Sequence, residues 1–121
     1  MMRLFLLCLF LIASAAQADS LEKCRQKEKN ASDLRLCIEA ERNGAANKLR
    51  SMNLIAFKAV EKTAKESNDR ALLRQFSAQQ ARHVRNRKGL CGKKSSKNEQ
   101  VACAADMDYA HIERLARYTR P

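Results

Sequence analysis

The sequence predicts an all-α protein: a small disulfide-linked helical bundle of three to four antiparallel helices. Three observations carry that expectation. Apolar residues recur at three- and four-residue steps over most of the chain, and no alternation of period two persists. The single proline is the last residue, Pro121, so no helical stretch contains one. Beyond residue 18 the chain keeps four cysteines, Cys24, Cys37, Cys91 and Cys103, an even set that can staple a core too small to hold the fold alone.

Residues 1–18 read as a secretory signal peptide. Met1, Met2 and Arg3 give a short positive start, Leu4 to Ala13 is an unbroken apolar run, and Ala16-Gln17-Ala18 forms a small-x-small cleavage site before Asp19. The run is shorter than the roughly 18 residues a membrane span needs. Cys8 lies inside it with no small residue beside it, which argues against a lipoprotein. The expected product, residues 19–121, is one domain, periplasmic or secreted, with no transmembrane segment. Removing Arg3 and no acid leaves 23 Lys and Arg against 13 Asp and Glu, a formal charge of +10.

Along the chain, Leu21 to Lys29 is a first short helix carrying Cys24. The stretch Lys29 to Asp33 interrupts the periodicity, and Ser32 or Asp33 is a suitable N-cap for the second helix. That helix is a long amphipathic segment running through Leu34, Cys37, Ile38, Glu41, Ala45, Leu49, Met52, Phe57, Val60 and Ala64, slipping in phase near Ser51 to Asn53, with a bend expected at Asn43-Gly44. Ser67-Asn68-Asp69 ends it and opens a helix over Arg70 to Lys88, stopped by Gly89 or Gly92. A last helix covers Glu99 to Tyr118, with Cys103, Met107, Ala110, Arg114 and Tyr118 on one side and Val101, Ala105, Ile112 and Leu115 near the other.

The cysteine spacing bears on the pairing. On one straight helix Cys24 and Cys37 would lie ~20 Å apart, beyond the ~7 Å a disulfide tolerates, so either the chain turns between them or each pairs elsewhere. The turn near Asn30 and the polar stretch from Lys93 to Asn98 favour hairpin-closing bridges, Cys24–Cys37 and Cys91–Cys103. Antiparallel packing of the chain ends would instead bring Cys24 towards Cys91.

The segment most suggestive of binding is Leu72 to Cys91. Leu73, Phe76, Gln80, Val84, Arg87 and Cys91 share one side of a helix, with His83 at its border, so an apolar stripe turns polar as it nears the cysteine. No acid occurs between Asp69 and Glu99, whereas nine basic residues do, from Arg70 to Lys97. Such a run attracts anions. The candidate binding residues are Gln80, His83, Arg85, Arg87, Lys88, Lys93 and Lys94.

Other chemistry finds little footing. The cysteines lack a C-x-x-C spacing and the histidines number two, His83 and His111, so neither a metal site nor a cofactor is expected. Catalytic residues are not expected either: exported thiols in an even set are normally paired, and neither histidine has a Ser or Cys at a triad-like spacing. Nucleic acid is not expected as a partner, since the aromatics that stack on bases are few.

The residues do resemble a known family, the N-terminal domain of the LprI lysozyme inhibitors, small secreted or periplasmic bacterial proteins. The likeness is carried by Cys24 followed by Cys37 with Ser32 opening the second helix, then Leu73, Gln80, Ala81 and Arg82 leading to an arginine, Arg87, four residues before Cys91. Cys103 on a last helix with Glu113-Arg114-Leu115 completes it. It spans essentially the whole of residues 19–121. The chain departs from the pattern at His83, where the family usually has tryptophan, and at Lys88, where it has aspartate. The resemblance implies export, disulfides, and a non-enzymatic protein that occludes a partner's surface, a lysozyme or another envelope protein. Against a basic lysozyme, a +10 chain would have to use Asp106, Asp108 and Glu113 as its contact face, or insert Arg85 or Arg87 into a carboxylate-lined cleft. The charge run supports a different expectation, a basic module for anionic envelope components such as lipopolysaccharide or acidic wall polymers.

Overall fold

Each helix begins where a side-chain oxygen stands ready to accept an otherwise unpaired backbone N–H. In the computed structural model, which describes residues 19–120, four α-helices are joined by short connections. The signal peptide expected over residues 1–18 lies outside the described residues. Helix α1 (Ser20–Lys27) starts at Asp19, whose Oδ1 accepts the Glu22 N–H at 2.7 Å. Helix α2 (Ala31–Ser67) starts at Asn30, not at Ser32 or Asp33: the Asn30 Oδ1 accepts the Asp33 N–H at 2.8 Å. It ends at Asn68, the one non-glycine residue with positive φ, 51°, among the described residues. Asparagine reaches that left-handed conformation more readily than most residues because its short amide bonds locally. Asp69 Oδ1 accepts the Ala71 N–H at 3.0 Å as helix α3 (Ala71–Gly92) opens. Ser96 Oγ accepts the Glu99 N–H at 3.1 Å at the start of helix α4 (Lys97–Ala116), and the chain passes from there into a 3-10 turn, η1 (Arg117–Thr119).

Of the three glycines, only Gly92 marks a helix end. Helix α2 continues through Gly44, where a Cβ would stand 3.7 Å from the Tyr109 hydroxyl, an ordinary contact. Helix α3 passes Gly89 and ends at Gly92, the second of the two stops the sequence offered, so Cys91 sits in its last turn. A glycine in a helix costs only about 1 kcal/mol relative to alanine, which packing and a covalent bridge outweigh.

Successive helices are antiparallel, and this makes α2 and α4 run the same way. Cys24 bonds Cys37 between α1 and α2, and Cys91 bonds Cys103 between α3 and α4, with Cα–Cα distances of 5.8 and 5.4 Å. Both favoured pairings are therefore those of the structure. Helix α4 packs on all three others, most extensively on α2. Buried side chains fall into three levels along it. At one end Cys24, Ile38 and Ala102 form an apolar cluster with Leu21, Leu34, Cys37 and Val101 around it. At the other, Leu49, Ala56, Val60, Phe76 and Leu115 form a second. Between them lies a polar level built on Asp108, His83 and His111, all buried.

The helical phase departs from the sequence reading in three places. On α3, Val84 is 51% exposed, and His83 takes the buried position expected for it. On α2, Phe57 is partly exposed and Ala56 is buried in its place, so the inward line runs Leu49, Met52, Ala56, Val60 without the phase slip expected near Ser51 to Asn53. On α4 the buried line is Ala102, Ala105, Asp108, His111 and Leu115, so Arg114 and Tyr118 face outward. On α3 and α4 the reason is that inward positions are held by ionisable or imidazole groups, which a count of apolar residues does not mark as inward.

Each bridge closes a loop, of 13 and 12 residues' separation, in a chain with a modest core. Replacing Cys91 and Cys103 together by alanine is expected to lower the unfolding free energy by about 3 kcal/mol in urea titration. An unchanged midpoint would show that helix packing alone holds α3 on α4.

Candidate anion-binding groove

The polar level has Asp108 at its centre. Its side chain is fully buried, on the α4 line that faces α2 and α3, and three cations or hydrogen-bond donors reach it from the neighbouring helices. From α2, Arg42 Nη1 donates to Oδ2 at 2.6 Å. From α3, Arg87 Nη1 donates to Oδ1 at 2.8 Å, and His83 Nε2 lies 2.8 Å from the same oxygen. Burial alone would raise the Asp108 carboxyl, but the hydrogen bonds from Arg87 and His83 and the charges of Arg87 and Arg42 outweigh it, so the group lies below its ordinary value.

His83 stacks face to face on His111, with ring centroids 4.1 Å apart and planes within 3°. His111 Nε2 lies 2.9 Å from Gln80 Oε1. Burial, the adjacent His83 and the positive charge of Arg114 hold the His111 imidazole down at about 4, against a partial pull upward from Asp108. His111 is therefore neutral at physiological pH. Gln80 Nε2 and the Nδ1 atoms of both histidines are buried with no hydrogen-bond partner in the protein.

The two imidazoles form part of the wall of a groove of about 580 Å³ between α3, α4 and η1. Gln79, Arg82, Asn86 and Leu90 line it from α3, Met107, Arg114 and Leu115 from α4, and Arg117 and Tyr118 from η1. Tyr118 Oη donates to Gln79 Oε1 at 2.6 Å, and its ring meets Phe76 edge-on at 5.6 Å, which fixes η1 against α3. Arg82, Arg114 and Arg117 are exposed, and none is within salt-bridge distance of an acid among the described residues. Three guanidiniums thus converge on one concavity with their donors available to a ligand, and each can grip a carboxylate, phosphate or sulfate through paired N–H groups.

The sequence-derived binding residues divide sharply here. Gln80, His83 and Arg87 belong to the buried polar level, engaged with His111 and Asp108. Arg85, Lys88, Lys93 and Lys94 are exposed on the outer side of α3 and beyond its end, outside the groove lining. Arg114 and Arg117 were not among the candidates, because they are distant in sequence from the acid-free segment and join Arg82 only through the fold. The suggested acidic contact face does not form. Asp108 is buried, and Asp106 accepts from the Ser20 N–H and Oγ at 2.9 and 2.6 Å at the start of α1. No group of three or more His, Cys, Asp or Glu side chains among the described residues is arranged to hold a metal ion. No helix among them is long and apolar enough to cross a membrane.

Acid should loosen the bundle in two stages. Between the ordinary histidine value of 6.5 and about 4, the unfolded chain binds a proton at His111 that the folded chain refuses, so stability falls as the pH falls. Asp108 has the same sign lower down, since its stabilisation is present above the ordinary carboxyl value of 3.8 and is lost below it. Urea unfolding should therefore show a loss of up to about 3 kcal/mol between neutral pH and pH 4. His111→Phe should flatten that limb and leave the steeper acid limb in place, whereas an unchanged profile would assign the effect to other groups.

Set against family models, curated proteins and solved structures, the chain matches none of them, and what the groove can do is read from its own side chains.

Proposed function

We propose that this chain is an exported, non-enzymatic binding protein whose ligand is an anionic component of the cell envelope, such as lipopolysaccharide phosphates or an acidic wall polymer. The observation that carries the reading is the convergence of Arg82, Arg114 and Arg117 on one groove with no acid among the described residues to neutralise them. Arg42 and Arg87 illustrate the contrast: they sit beside Asp108 and are internally paired. The exposed Arg85, Lys88, Lys93 and Lys94 extend the positive field along α3 and would draw a polyanion towards the groove. Leu90, Met107 and Tyr118 give the groove apolar wall between its charges, suited to a sugar ring or an alkyl segment beside a phosphate.

A second reading keeps the LprI-like class and its protein target. It is supported by the two hairpin-closing disulfides, which join the cysteines that carry the resemblance. Occlusion of a lysozyme would then depend on Arg85, because Arg87 is engaged with Asp108. Lysis assays with several lysozymes of different charge separate the two readings: inhibition lost in Arg85→Ala supports the second, and no effect at large molar excess removes it.

The first reading is tested by binding of lipopolysaccharide and of an anionic wall polymer to the purified protein at low and high salt. Affinity is expected to fall at least ~tenfold between about 50 and 300 mM NaCl, as for contacts made by exposed charges. The double variant Arg114→Glu with Arg117→Glu should weaken binding by a similar factor and change stability by less than about 1 kcal/mol, since both side chains are exposed. Binding that ignores both salt and charge reversal would overturn the reading.

A further inference from the structure

We infer that the groove takes up a proton together with its anion, and that the proton enters the stacked His83–His111 pair. The inference rests on the anion-binding reading and adds to it a dependence on the acidity of the compartment.

The geometry fixes where a proton can go. His83 Nε2 faces a carboxylate oxygen and His111 Nε2 an amide oxygen, at 2.8 and 2.9 Å. Both oxygens only accept, so each Nε2 carries the hydrogen, and in a neutral ring the lone pair is on Nδ1. Neither Nδ1 has a partner in the protein, although both rings are at least nine-tenths buried, at 5 and 4% exposure. Buried imidazole nitrogens are normally hydrogen-bonded, and a core built for rigidity alone would place an aromatic or aliphatic pair here more cheaply. What this pair offers instead is two adjacent sites for a proton in the wall of a cationic groove.

Every charged group facing the pair bears on whether the proton is accepted. Arg82 and Arg87 face it from α3, Arg114 and Asp108 from α4 and Arg117 from η1, while Arg42 reaches Asp108 from α2. Arg42 and Arg87 are paired with Asp108, so their charges are largely spent on it, whereas the unpaired Arg114 opposes a charge added to His111. That opposition accords with the depressed His111 imidazole. An anion seated on Arg82, Arg114 and Arg117 offsets the three groove cations and favours a positive charge on the adjacent ring. Linkage is reciprocal: whatever factor the anion adds to proton affinity, the proton adds to anion affinity. If binding raises one ring's midpoint by about two pH units, from near 4, affinity at about pH 5 exceeds that at about pH 7.5 by roughly tenfold.

The probe is a sulfated oligosaccharide, whose charge is constant across this range, so any proton taken up belongs to the protein. Calorimetric titration of the purified protein at about pH 5.5, in two buffers of different ionisation heat, counts protons absorbed on binding. Uptake of a sizeable fraction of one proton, with affinity rising about tenfold from pH 7.5 to pH 5, is the expected result. His111→Phe should reduce both the uptake and the pH dependence. Because that variant could also disturb folding, the wild-type imidazole resonances are followed by NMR against pH with and without the probe, and an upward move of a His83 or His111 midpoint on binding supports the inference. Binding with no uptake and no such move overturns it while leaving the anion reading intact. Absence of binding at every pH overturns both.

Discussion

A buried carboxylate cannot stay ionised unless cations and hydrogen-bond donors surround it, and that requirement organises this bundle. Asp108 has no exposed surface, and the groups that satisfy it come from two other helices, Arg42 from α2 and His83 and Arg87 from α3. The carboxylate thus ties α2 and α3 to α4 in one register, with all three partners within 2.8 Å of its oxygens. The apolar clusters on either side are small, with Ile38, Leu49, Val60, Phe76 and Leu115 as their larger members. They could tolerate several arrangements of similar stability. A charged centre with directional partners selects among them, at a net stability gain that is modest compared with its effect on register.

The same level divides the chain's positive charge into two populations. Arg42 and Arg87 are partly buried and consumed by the fold, whereas Arg82, Arg114 and Arg117 stand round a groove without acidic partners among the described residues. A net charge alone would attract anions to any face. Here the fold gives the attraction a location, by bringing residues 82, 114 and 117 together across an antiparallel pair of helices and fastening η1 through Tyr118. The stacked imidazoles connect the two populations: they touch Asp108 on one side and the groove on the other.

Much of this was legible from particular residues. The spacing of Cys24 from Cys37 excluded a bridge across a single straight helix, and the polar residues around Asn30 and after Gly92 indicated where the chain turns, so hairpin-closing pairs were the favoured ones. The long helix was visible in its apolar periodicity, as was the inward stripe through Phe76, Gln80 and Arg87, but the phase slip read near Ser51 to Asn53 is absent, since Ala45, Leu49, Met52, Ala56 and Val60 keep unbroken three- and four-residue steps. What periodicity could not show was the role of charged residues that point inward. Asp108 looked like an available acid on an exposed face because an aspartate between two helical turns carries no local sign of burial. Its partners lie 66, 25 and 21 residues away along the chain. The one hint was that Ala105, Asp108, His111 and Leu115 keep three- and four-residue steps, which would have put the aspartate in line with the core. Arg114 and Arg117 were missed for a related reason, since a groove between helices is a property of the packing and of no single segment.

The most direct test of the account is the stability of Asp108→Asn, which preserves the shape of the side chain and removes only its charge. If the carboxylate holds α2, α3 and α4 in register, the variant leaves Arg42 and Arg87 facing each other uncompensated, and urea unfolding at neutral pH should register a loss of at least about 3 kcal/mol. Backbone amides of α3 should then exchange with solvent ahead of those in α2. A variant within about 1 kcal/mol of the wild type, with the His83 and His111 resonances unmoved, would contradict the claim that this one buried charge sets the arrangement of the helices.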